Sequence, residues 1–253
     1  TQILDSIGVE WFIVGPETKD PIGVFTKALK IMQLSETPIA VIVKKNTFEK
    51  YELLKKEKKD FSLLREEALK IVLDNLSENS LIVSTTGMTS REIFEYRESK
   101  GQPHFKDFLT VGSMGHTSSI ALGLSLSQPN KKIICIDGDG SILMHLGATA
   151  IQGVSERDNF FHILINNGAH DSVGGQPTVG KKINFCKIAN ACGYKKIRKI
   201  AKPEEIKFSI DELINSEKGP VFLEIIVRKG SRNNLGRPTI KPIDNKKSFM
   251  DKL

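Results

Sequence analysis

Short apolar runs with helical segments between them constrain this chain more than any other feature. "SLIVSTTG" (80–87), "KIICI" (132–136), "FFHILIN" (160–166) and "GPVFLEIIVRKG" (219–230) each hold a nearly unbroken apolar stretch. A strand with one wet face alternates apolar and polar residues, whereas a strand covered on both faces need not. The intervening segments carry helical spacing. "SLLREEALKIVLDNL" (62–76) sets Leu64, Ala68, Leu69 and Val72 on one face. "TSREIFEYRESKG" (89–101) offers Thr89 or Ser90 as a cap and ends at Gly101. Helices are also expected near 141–154 and 183–192, with "YKKIRKI" (194–200) as a short strand. Pro203 suits the first turn of "PEEIKFSIDELINS". The alternation predicts an α/β fold, a doubly wound parallel sheet with helices on both faces.

A smaller αβ pattern precedes it. In the αβ unit over 1–43, "FTKALKIMQLSETP" has helical spacing and "IAVIVKK" reads as a buried strand. Residues 44–60 form a charged linker, and 61–253 form the main domain with a C-terminal tail. The chain opens at Thr1, without Met, in what reads as the middle of a folded domain; an N-terminal truncation is expected. No apolar run reaches the ~18 residues that span a bilayer, so no membrane partner is expected. Cys135, Cys186 and Cys192 are too few and too irregular for a disulfide framework or a zinc site. Their scarcity fits a reducing, cytoplasmic compartment. The net charge of +7 gathers in 44–59 and beyond Arg228, without a basic stripe interleaved with aromatics. It points to a solvated linker and an anionic small molecule, not to nucleic acid.

In doubly wound sheets ligands bind beyond the C-terminal strand ends. "STTGMTS" (84–90), "DGDGS" (137–141) and "NNGAHDSVGGQPT" (166–178) fall there, and "GSMGH" (112–116) precedes a helix rich in small residues. Such glycine- and hydroxyl-bearing turns form a phosphate-binding rim. "GDG" alone is weak. Its spacing sharpens it, because 25 residues separate Gly140 from Asn166-Asn167, the length of one crossover. An Asp carboxylate, an Asn amide oxygen and a backbone carbonyl are hard donors suited to Mg²⁺. Asp137 is expected to be a turn residue, while Gly140 and Ser141 open a helix that can meet phosphates.

"GSMG", then "GDG", then "NN" resembles the thiamine-diphosphate enzymes. With "STTGMTSREIFEYRE" and "GSRNNLGRPT" added, nearly the whole chain resembles the phosphonopyruvate decarboxylases and their sulfopyruvate-cleaving relatives. The resemblance implies a thiamine-diphosphate-binding α/β fold: a pyrophosphate-binding domain over 61–253, and over 1–43 the end of a pyrimidine-binding domain. It implies thiamine diphosphate and Mg²⁺ as cofactors. Asp139, Asn167 and the Ala169 carbonyl would ligate the metal, with Asn166 as a substitute for Asn167. Gly138, Gly140 and Ser141 would hold the diphosphate. Gly112 and Ser113 would meet the aminopyrimidine side, and Met114 would be the apolar wedge that bends the cofactor. The thiazolium takes up the electrons released with CO₂ from a 2-oxo acid. The glutamate that activates the aminopyrimidine is expected upstream of Thr1, so the chain supplies half a site. A homo-oligomer, dimer or higher, or a separate pyrimidine-domain subunit is therefore implied. His116 and His170 are candidates for acid–base work. His162 reads as core, His145 as packing and His104 as surface. A substrate with a second anionic group would favour arginine; Arg232 and Arg237 are the candidates, and Asp171 and Ser172 stand beside His170 to face it.

Overall fold

The computed structural model describes residues 1–49, 62–215 and 218–253. The chain divides into two compact units, Thr1–Glu57 and Lys58–Leu253. Most of the charged segment expected at 44–60 lies outside the described residues.

The first unit runs α1 (Gln2–Ser6), β1 (Glu10–Val14), α2 (Pro21–Ser35) and β2 (Ile39–Val43). The strands pair in parallel, Glu10 opposite Ile39 and Val14 opposite Val43. Asp20 caps α2 by accepting from the Gly23 amide at 2.8 Å, and Pro21 follows at the first turn. One helix on two strands buries little. Val14 and Ala28 are its fully buried apolar residues among those described, while Ile22 and Leu34 are each 77% exposed.

The second unit carries β3 (Ser80–Ser84), β4 (Asp107–Leu109), β5 (Lys132–Gly138), β6 (Phe160–Asn166), the two-residue β7 (Ala169–His170) and β8 (Gln176–Pro177), then β9 (Lys196–Ile200) and β10 (Val221–Ile226). Six of these form one parallel sheet in the order β4-β3-β5-β6-β10-β9. Alternate residues point to opposite faces. Ile82, Ile134, Ile136, Ile163 and Leu223 meet α3 (Arg65–Asn75), α4 (Met88–Ser99) and α9 (Pro203–Ser209). Leu81, Val83, Ile133, Cys135 and Leu164 meet the opposite layer: α5 (Thr117–Ser127), α6 (Asp139–Met144), α8 (Phe185–Ala191) and α10 (Pro242–Met250). Each such side chain, taken fully out of water, contributes about 1.5–3 kcal/mol. Two covered faces are why the strands read as unbroken apolar runs.

Three local expectations differ from the structure. The helix expected at 141–154 is two, α6 and α7 (Ala148–Val154), broken at His145–Gly147. Gly115 approaches that break so closely that a Cβ on it would lie 2.4 Å from His145 Nδ1. Helix α4 begins at Met88 behind Gly87, whose φ is +98°. Ser90 does not cap it, because its hydroxyl bonds the Ser84 hydroxyl at 2.8 Å and the Thr85 carbonyl at 2.7 Å. His104 is buried, not surface: its ring stacks on Phe94 at 4.2 Å and bonds Glu98 at 2.6 Å. Edge strand β4 and helix α10 had no separate signal. Among the described residues no helix is long and apolar enough to cross a membrane.

Candidate functional site

The strand order fixes where a crevice opens. From β3 the chain goes to β4 on one side, then returns to β5 on the other. Connections that diverge from two adjacent strands leave a gap beyond their carboxyl ends. Thr85 and Thr86 follow β3 at that gap, and Gly138 ends β5 there with Asp139 opening α6. A polar cleft of about 50 Å³ lies at this point. Its walls include Thr85, Thr86, Met114, Gly138–Ser141, Asn167, Ala169 and His170.

Asp139, one of two carboxylates that line the cleft with Asp171, is 1% exposed. One oxygen accepts the Asn167 amide N–H at 3.3 Å; the other accepts the Thr178 hydroxyl. Burial raises its pKa above the usual aspartate value, against the pull of the Thr178 and Asn167 hydrogen bonds. It makes no ion pair among the described residues. A buried carboxylate without a cation is costly. Asn167 and Ala169 line the same cleft, and a carboxylate, an amide oxygen and a backbone carbonyl are the hard oxygen donors that Mg²⁺ takes.

The two asparagines divide the work. Asn166 spends its amide on the Gly180 carbonyl (2.9 Å) and the buried Glu224 (2.8 Å), and its oxygen accepts from Gly168 N at 3.2 Å. Asn167 lines the cleft. Its Nδ2 donates to Asp171 at 2.7 Å, and its oxygen accepts from Ala169 N at 3.0 Å. The pattern favours Asn167 over Asn166 as the oxygen donor to a metal.

The "GSMGH" loop closes one side. Gly112, Ser113 and Gly115 have φ of +74°, +46° and +94°. Gly112 N donates to the Thr86 hydroxyl at 3.2 Å and Gly115 N to the Ser141 hydroxyl at 3.1 Å, tying the loop to both strand ends. Met114 is half-buried and lines the cleft.

The histidines separate. His170 lines the cleft, with its ring so close over Gly140 that a Cβ there would lie 2.5 Å from its Nδ1. His116 is exposed, packs on His145 at 4.3 Å and does not line the cleft. His162 is core, bonded through Nδ1 to Tyr194 at 3.1 Å. Its Nε2 stands 3.7 Å from Asp137, which is fully buried within β5 and not the turn residue expected.

Asp171 does not stand free. Its Oδ2 accepts from Arg65 (2.7 Å), Asn167 Nδ2 (2.7 Å) and Gly230 N (3.0 Å). Arg65, 4% exposed, also grips Glu92 with two bonds of 2.8 and 2.9 Å. Burial alone would lower the Arg65 pKa; Glu92 and then Asp171 reverse this and raise it. Ser172 and Arg237 line a neighbouring cavity, whereas Arg232 pairs with Glu66 and Glu95 and lines neither the cleft nor that cavity.

Thr178, Gly180, Arg65 and Glu92 belong to the site's support and were not singled out from the sequence. A signal existed for Arg65. A cation in the first turn of a helix opposes the helix dipole unless acids hold it there. Nothing in "PTVG" marked Thr178 and Gly180. Yet a Cβ on Gly180 would lie 2.5 Å from Asp139 Oδ2.

Residues 85–225 match the family described as thiamine pyrophosphate enzyme, C-terminal TPP binding domain. The chain is 32% identical over 182 residues to a phosphonopyruvate decarboxylase of Streptomyces viridochromogenes, covering 72% of this chain and 44% of that protein. It is 33% identical over 193 residues to the sulfopyruvate decarboxylase subunit beta of Methanococcus maripaludis, covering 76% of this chain and 98% of that subunit. The chain thus spans less than half the length of the phosphonopyruvate decarboxylase it matches. A solved structure of a putative thiamin diphosphate-dependent enzyme from Mycobacterium smegmatis shares the fold, with a TM-score of 0.52 at 15% identity, covering 73% of this chain and 37% of that one.

Proposed function

The chain belongs to the thiamine pyrophosphate enzymes, and on that premise we propose that it forms the Mg²⁺- and diphosphate-holding part of a cytoplasmic 2-oxo acid decarboxylase that converts phosphonopyruvate to phosphonoacetaldehyde and CO₂. The observation that carries this reading is Asp139, a buried carboxylate without a cation, set beside Asn167 and Ala169 at the sheet's switch point. Asp139, Asn167 and the Ala169 carbonyl hold the metal. Gly138, Gly140 and Ser141 keep the chain close to the diphosphate, since His170 leaves Gly140 no room for a Cβ. Met114 forms part of the cleft wall, and the Gly112–Ser113 turn is tied to Thr86 beside it. The bound cofactor supplies the electron sink for the pair released with CO₂. His170, the histidine of the cleft, is the group placed to hold or move a proton there through its ring nitrogens. The activating glutamate comes from a pyrimidine-binding partner, either a second copy or a separate subunit.

A sulfopyruvate decarboxylase subunit is the second reading, favoured by the nearly complete span of the Methanococcus maripaludis subunit. The test is to prepare the complete protein with its pyrimidine-binding half and measure CO₂ from phosphonopyruvate, sulfopyruvate and pyruvate. Phosphonopyruvate is expected to be preferred. Preference for sulfopyruvate hands the substrate to the second reading, and release from none of the three refutes decarboxylation.

A further inference from the structure

Beside the polar cleft lies a larger cavity of about 460 Å³. The two share Thr86, Met114 and Ser172 as walls, so a molecule in one adjoins the other. Much of the lining is apolar: Phe94, Leu109, Val111, Val173 and Ile240. Its charged residues are Arg91 and Arg237, and no acid lines it. Elsewhere in this unit Arg65, Arg97, Arg198 and Arg232 each pair with a carboxylate. The side chains of Arg91 and Arg237 make no hydrogen bond or ion pair among the described residues.

We infer that Arg91 and Arg237 form an anion subsite that takes the distal tetrahedral oxyanion, phosphonate or sulfonate, of a short 2-oxo acid whose keto group lies toward the polar cleft. Three physical arguments converge. Two cations on a weakly polar wall focus positive potential into the cavity, and an entering anion relieves it. A guanidinium presents a planar fork that fits two oxygens of a phosphonate or sulfonate. The volume falls within the ordinary range of small-molecule sites. The two arginines come from different elements, Arg91 from the first turns of α4 and Arg237 from the tail. The tail is seated by the 2.6 Å bond from Gly236 N to Glu95 and by Asn245, which bonds Asp107 O and Leu109 N at 3.0 and 3.2 Å. Arg232 serves that seat, through Glu66 and Glu95, instead of the ligand.

The inference rests on the decarboxylase reading for the identity of the ligand but not for the anion subsite itself, so two measurements separate them. The first is equilibrium binding of methylphosphonate and methanesulfonate to the complete protein and to its Arg91→Gln and Arg237→Gln variants. Loss of about 10–100-fold in affinity in each variant is expected, the scale of one charge-assisted hydrogen-bonded contact. Arg91→Lys, which keeps the charge without the fork, should recover part of it. Arg91 makes no side-chain bond among the described residues, so unchanged thermal unfolding of its variants is the control. Binding that is unaltered in both variants overturns the subsite, whatever the enzyme's activity. The second measurement is the ratio of kcat/KM for phosphonopyruvate over pyruvate, which each substitution should lower about 10–100-fold. An unchanged ratio overturns the subsite. A protein that binds methylphosphonate through these arginines yet releases no CO₂ keeps the subsite and refutes the decarboxylase.

Discussion

Replacing Asp171 tests the site's support where it is most concentrated. Three donors converge on its Oδ2: Arg65 Nη1 at 2.7 Å, Asn167 Nδ2 at 2.7 Å and Gly230 N at 3.0 Å. The side chain is 7% exposed, so water does not readily replace it. Asp171→Ala leaves Asn167 and Gly230 each short of an acceptor, at roughly 1–3 kcal/mol for a buried group. It also takes one of two acids from the buried Arg65. Removing a partner from a buried ion pair costs about 3–5 kcal/mol. Glu92 still grips the guanidinium with two bonds, so the lower end applies to that part. These contributions share one oxygen and do not add; a net loss of about 3–5 kcal/mol is expected. Against a domain stability of about 5–15 kcal/mol this is large but survivable. A second effect is local. The Asp171 bond fixes which way the Asn167 amide points, and losing such an outer partner typically weakens metal affinity about 10–100-fold. Urea unfolding measures the first effect. Calorimetric titration of the complete protein with thiamine diphosphate and Mg²⁺ measures the second, with Asp171→Asn as the shape-preserving companion. An unfolding midpoint and a cofactor affinity that both match the unsubstituted protein would falsify the claim that Asp171 holds Asn167 in place.

Three further outcomes follow from the same geometry. Gly180→Ala drives a Cβ to 2.5 Å from Asp139 Oδ2 and 2.8 Å from its Cβ; cofactor titration should show binding lost, with stability down by ~1–3 kcal/mol from overpacking. The folded, metal-free chain holds the Asp139 proton to a pH above the ordinary 3.8, so that proton stabilises the fold at low pH and the contribution is lost as pH rises through the raised value. Mg²⁺ expels it, so Mg²⁺ affinity should fall on acidification within that window, and Thr178→Val, which removes a bond that favours the carboxylate, should move the fall to higher pH. Asn245→Ala frees α10 from β4 at both the Asp107 carbonyl and the Leu109 amide; a loss of ~1–3 kcal/mol and faster proteolysis between residues 230 and 245 are expected.

The sheet was legible because its strands are buried on both faces: "KIICI" and "FFHILIN" could hardly serve elsewhere. That Asp139 and Asn167 meet at one sheet edge was legible for a related reason. The sheet fixes the ends of β5 and β6, so a motif at each end lands in one place whatever the crossover between them does. What escaped lacks that constraint. Edge strand β4 is three residues long, and it pairs with β3 alone. Helix α10 earns its place through Asn245 and Phe249, two contacts that no local period reports. His104 has no periodic apolar pattern around it to mark burial; its partner Phe94 lies on α4, ten residues earlier. Helix α6 ends at His145, where Gly115 of a different loop packs close against the His145 ring. Each miss is a tertiary contact overriding a local preference.

The two residues of the doubled asparagine sit in different settings, and the proposed metal site draws on the second alone. Asn166 is the last residue of β6, opposite Ile226 of β10, and is fully exhausted by Gly180, Gly168 and Glu224. Those bonds hold the loop from Gly168 to Gly180 against the sheet. That loop returns Thr178 to Asp139 and keeps Gly180 packed beneath it. Asn167 follows one residue later, on the opposite side of the chain, and is left to face the cleft. Its own amide is oriented by Asp171, which α3 and α4 fix through Arg65 and Glu92. Substituting Asn166 should therefore loosen the loop, and substituting Asn167 should remove a ligand. Both would abolish cofactor binding, but only the first should also expose the Gly168–Gly180 amides to hydrogen exchange in the metal-free protein. Equal exchange in the two variants would show that the pair is not divided in this way.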